Sequence, residues 1–139
     1  MQFHKALICS VIILTASPAV ASAWEHEHER GVDLYRTENA GVVVSLVCDP
    51  NTVYGTTESA VLIEAGDNPD LSAEVSFSFP DGNRIGAAMV HGRYGKATAN
   101  PVEWETMIAG CRAHQTVTVT VGDSSTEVEL GDPMPFTCL

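Results

Sequence analysis

The chain has 139 residues and a formal net charge of −11, from seven Lys and Arg set against eighteen Asp and Glu. That balance excludes a nucleic-acid binder, because phosphate contacts need clustered cations, and an anionic membrane surface is excluded for the same reason. The length suits one domain built on one core.

The first element reads as an export signal. Lys5 gives a positive start, residues 6–15 are apolar, and Pro18 breaks the run before the small residues Ala19, Ala21 and Ala23. The run is shorter than the roughly 20 apolar residues a membrane helix needs. Cys9 follows Ile8 inside the apolar run, which argues against lipidation, and no twin-arginine pair precedes it. The expected division is a cleaved signal over 1–23, with cleavage after Ala21 as the alternative frame. Removing 23 of the 139 residues leaves 116, and the loss of Lys5 takes the formal charge from −11 to −12. A periplasmic or secreted protein with no membrane span after cleavage is expected.

Residues 24–40 are polar and charged, and are expected to form a mobile N-terminal arm. With Trp24 as the mature N-terminus, His26 stands third. A free amine, two backbone amides and a third-position imidazole supply the planar nitrogen set that Cu(II) and Ni(II) favour. His28 adds a ligand, and Glu25, Glu27 and Glu29 attract cations. Trp24, His26 and His28 are therefore candidate metal ligands, although a solvated tail that merely contains histidines explains the same residues. No other cofactor is implied.

Residues 41–139 read as a single β-rich domain. Residues 41–48 form a Val-rich strand stopped at Asp49-Pro-Asn51, and 60–63 a second short one. Val75, Phe77 and Phe79 alternate on a strand that turns at Pro80-Asp-Gly-Asn83 and returns with Ile85, Ala87 and Met89 inward. Asn100, Pro101 and Glu103 mark a helix start over about 100–112, with Trp104, Met107, Ile108 and Cys111 on one stripe. Residues 116–121 alternate Thr and Val, 122–125 turn, and 126–130 return. Pro133 and Pro135 make the tail extended. The predicted fold is α+β or mostly β: a small antiparallel sandwich or barrel-like domain with one amphipathic helix.

Three cysteines follow the signal. Cys48 ends a strand and Cys138 ends a Pro-rich tail, so a Cys48–Cys138 disulfide is expected, with Cys111 buried as a free thiol and Cys111–Cys138 as the rival pairing.

Catalytic motifs are missing. There is no Gly-x-Ser-x-Gly, no phosphate loop and no Cys-x-x-Cys, and Glu103 and Glu105 do not share a helix face. An enzyme would have to use scattered residues, with His91 and His114 the candidates. The segment His91-Gly-Arg-Tyr-Gly-Lys96 is a basic island in an acidic chain. His91, Arg93, Tyr94 and Lys96 are candidate contacts for an anionic group or an acidic partner, together with loops around Tyr54 and Asp81. A flexible loop that balances nearby acids is the simpler reading of the same segment. The overall expectation is a non-enzymatic exported binding protein, with a protein or small-molecule ligand that the sequence does not name.

Overall fold

The structure is a computed structural model and describes residues 23–53, 59–132 and 138. Residues 1–22 of the expected export signal, the loop at Tyr54 and the Pro133–Pro135 tail lie outside the described residues.

Among the described residues, nine strands form two antiparallel sheets. The first carries β1 (Glu25–Glu29), β2 (Val32–Asn39), β3 (Val42–Cys48), β4 (Ala60–Ala65) and β7 (Arg93–Gly95), in the order β1-β2-β3-β4-β7. The second carries β5 (Glu74–Ser78), β6 (Arg84–Ala88), β8 (Thr116–Val121) and β9 (Ser124–Glu129), in the order β6-β5-β8-β9. Helix α1 (Pro101–Ala113) joins β7 to β8. The fold is the α+β sandwich that the alternation predicts.

The core lies between the sheets. Val44, Leu46, Val61 and Ile63 face Val75, Phe77, Ile85, Val117, Val119 and Val128, all with 5% exposure or less. The helix starts where its cap requires. Asn100 Oδ1 accepts from the Val102 and Glu103 amides at 2.9 and 3.4 Å, and Pro101 fills the first position, where no N–H is needed. Its stripe of Trp104, Met107, Ile108 and Cys111 is buried. Gly110 lets the helix touch the β5 end, since a Cβ there would lie 2.5 Å from the Phe79 ring. Trp104 Nε1 donates to the Cys138 carbonyl at 2.9 Å, and Cys138 is disulfide-bonded to Cys48 across a sequence separation of 90. Cys111 is free, and burial pushes its thiol up to about 12. The disulfide fits folding in an oxidising compartment. No helix among the described residues is long and apolar enough to cross a membrane.

Residues 24–40 differ from the mobile arm expected of them. They form the β1–β2 hairpin, paired from Glu25↔Arg36 to Glu29↔Val32, and Trp24 and Tyr35 join the core cluster. The polar inward face hid this. Asp33, Tyr35 and Thr37 point in, while Val32 and Leu34 are only half-buried on the other face. The inward polar groups have partners. Asp33 meets two histidines, and Thr37 Oγ1 donates to the Glu129 carbonyl at 3.0 Å.

The turns hid it as well. Arg30-Gly31, Ala40-Gly41 and His91-Gly92 each place two consecutive residues at positive φ, between 48° and 81°. The flanking residues pair as Glu29↔Val32, Asn39↔Val42 and Val90↔Arg93. These are two-residue hairpin turns of the mirror-image type I geometry, with Gly only at the second position. The predicted Asp81-Gly82 turn is wider: Phe79 N–H reaches the Asn83 carbonyl at 2.9 Å across three intervening residues.

Candidate binding groove at residues 88–98

The groove forms where the chain leaves one sheet for the other. Beyond β6, Met89 N–H still bonds Ala73 O at 2.9 Å, and Val90 and Arg93 then exchange two 3.0 Å bonds around the His91-Gly92 turn. The chain next enters β7 and pairs with β4 through Arg93↔Leu62 and Gly95↔Ala60. The two strands splay from the turn, and a groove of about 520 Å³ opens beside it. Ala88, Val90, His91, Arg93, Ala97 and Thr98 line it.

The turn is held firmly. Gly92 N–H donates to Leu71 O at 2.7 Å, and its carbonyl accepts from Ile63 at 2.9 Å. A Cβ at Gly92 would lie 2.6 Å from the Pro69 carbonyl, so both the +70° φ and the close approach require glycine. His91 N–H donates to Ser72 Oγ at 3.1 Å, and His91 Nδ1 lies 2.7 Å from Asp70 Oδ1. Both side chains stay open to solvent, at 76% and 69% exposure. Val90, beside them, is 62% exposed.

Of the four residues expected here, the structure brings two together. His91 and Arg93 line the groove. Tyr94 does not. It lies on a strand, so alternation turns it into the core, where its ring packs 6.4 Å from Trp104. Burial, and then the Glu103 and Glu74 carboxylates, raise its phenol above the usual value. Lys96 is half-buried next to β4, its N–H on Ser59 O at 2.8 Å. Asp70, Ala88, Val90, Ala97 and Thr98 were not expected. Ala88, Val90, Ala97 and Thr98 are bland residues on either side of the His91-Gly92 turn, and Asp70 reaches the site through its contact with His91.

The other described histidines also meet aspartates. His26 Nε2 and His28 Nδ1 both contact Asp33 Oδ1, at 2.9 and 2.7 Å, and His26 stacks on Tyr35 at 4.4 Å. Trp24, whose amine the expected chelate would use, has its ring in the core cluster. Among the described residues, no group of three or more His, Cys, Asp or Glu is arranged to hold a metal ion. His114, the residue closing α1, reaches Asp81 Oδ2 at 3.1 Å and stacks on Phe79. The Asn83 backbone N–H, aided by His114, holds the Asp81 carboxyl below its usual value.

No protein-family model, no curated protein and no solved structure matches this chain.

Proposed function

We propose that the protein is an exported, non-enzymatic binding module that uses the 88–98 groove to hold a partner carrying an anionic group. One observation carries the reading. An open groove joins an exposed apolar residue, Val90, to a cation, Arg93, on a backbone fixed by the Gly92 bonds. A pre-formed concave site with a few convergent polar groups is the usual form of a ligand pocket. The guanidinium fork suits a carboxylate or phosphate. The export signal and the disulfide together favour the periplasm or the exterior.

The test passes one periplasmic extract over immobilised wild type and Arg93→Glu. Wild type retains a component that the variant loses, and the two proteins melt alike. Identical retention by both would reject the groove. Turnover in a hydrolase panel, with nothing retained, would favour an enzyme.

That second reading has its own observation. His91 lines the groove with its Nδ1 held by Asp70, the arrangement in which an imidazole is oriented for general-base chemistry. Loss of such turnover in His91→Ala would select it.

A further inference from the structure

The two sheets present four edges, and three are guarded. β1 carries three glutamates in five exposed residues, so a second β1 would set carboxylates side by side. The β9 edge is taken by β2: Thr37 Oγ1 bonds Glu129 O at 3.0 Å and Asn39 Nδ2 bonds Glu127 O at 2.8 Å. The outward backbone of β7 is also used, since Arg93 bonds Val90 in both directions and Gly95 O accepts from Thr98 and Ala99.

β6 is different. Its hydrogen-bonded pairs with β5 are set by Met89 N–H to Ala73 O and Phe79 N–H to Asn83 O, both 2.9 Å. Alternation along the register Val75↔Ala87 and Phe77↔Ile85 then turns the N–H and C=O of Arg84, Gly86 and Ala88 to the open side. All three residues are exposed, and two of them are small. The strand carries neither proline nor an inward charge, which are common guards of an open edge.

The charges around β6 complement themselves. Glu74 pairs with Ala88 in the β5–β6 register, and its carboxylate lies over Gly86. Arg84 Nε donates to Ser76 Oγ at 2.6 Å, which leaves the outer guanidinium nitrogens free to turn toward a neighbouring strand. An antiparallel copy of β6 with Gly86 opposite Gly86 sets each Arg84 beside the second copy's Ala88, next to its Glu74. The same two contacts recur across the two-fold axis, as an isologous interface demands.

We propose that a second copy of this chain pairs antiparallel with β6 about Gly86, joining two four-stranded sheets into one. The edge shares Ala88 with the groove, but the two readings are tested separately, because Arg93→Glu alters the groove and leaves β6 unchanged.

Sedimentation equilibrium on the oxidised, exported chain tests it. Wild type gives twice the monomer mass and dissociates on dilution. Gly86→Pro removes an outward N–H that β5 does not use, and its Cβ meets the flexible tip of Glu74. It is monomeric with an unchanged circular dichroism spectrum. Arg84→Glu alone and Glu74→Arg alone each set like charges across the axis and weaken association roughly tenfold. Mixing those two variants restores it, because each then meets its complement, an outcome that contacts inside one copy cannot produce. A wild type that stays monomeric, a Gly86→Pro dimer of native strength, or a mixture no tighter than its parts would each overturn the proposal.

Discussion

His28 Nδ1 lies 2.7 Å from Asp33 Oδ1, and His91 Nδ1 lies 2.7 Å from Asp70 Oδ1. The two pairs sit at opposite edges of the five-stranded sheet, the first on β1 and β2 and the second at the turn into β7. The Asp33 side chain is 12% exposed, serves two histidines on one oxygen, and lies in register with the disulfide-bonded Cys48. The Asp70 and His91 side chains are mostly exposed and border a groove. The same pair of side chains thus closes the fold at one edge and faces outward at the other. The difference is desolvation, because a polar group removed from water depends on its partners and an exposed one does not.

Removing the disulfide should give the largest effect. A closed loop of about ninety residues stabilises by roughly 4–5 kcal/mol in the chain-entropy model. Urea unfolding of the Cys48→Ala/Cys138→Ala protein should show a loss of that order. A loss under ~1 kcal/mol would mean that the Asp33 end holds without its staple.

Next comes the comparison itself. Asp33→Ala leaves two imidazoles without their shared acceptor beside a buried position and should cost about 1–3 kcal/mol. Asp70→Ala should cost less than ~0.5 kcal/mol. Equal costs in parallel urea titrations would erase the distinction between the two edges.

The smallest effect belongs to a third pair, His114 and Asp81, on the exposed 80–83 turn. The folded Asp81 carboxyl is held below its ordinary value of 3.8, first by the Asn83 backbone N–H. Its contribution is therefore present above that value and is lost as pH falls through the lower, folded one. Melting temperature followed below pH 5 should drop less steeply for Asp81→Asn than for wild type. Superimposable profiles would show that this pair adds nothing.

The legible parts of the fold were those in which one physical signal dominated. Val42–Cys48 and Thr116–Val121 read correctly because β-branched residues fill buried positions, and α1 because Asn100, Pro101 and an apolar stripe coincide. The disulfide followed from two strand-end and chain-end cysteines. The β1–β2 hairpin was not legible. Its inward face holds Asp33, which pairs with His26 and His28 on β1, and Thr37, whose partner Glu129 lies on β9, and the Arg-Gly turn within it and the Ala-Gly turn after it are weaker signals than Asn-Gly or Asp-Gly. At the groove, composition alone picked out His91 and Arg93. Tyr94 was misplaced because a three-residue strand leaves too little alternation to read.

The proposed function requires that residues 88–98 meet a partner. A photoreactive phenylalanine analogue in place of Val90 tests it directly in cells exporting the protein, with the same analogue at Val53, also exposed, as the control. Position 90 should give a discrete covalent adduct to a molecule other than the chain itself, and position 53 none. No adduct at 90, an adduct only to a second copy, or the same adducts from both positions would contradict it.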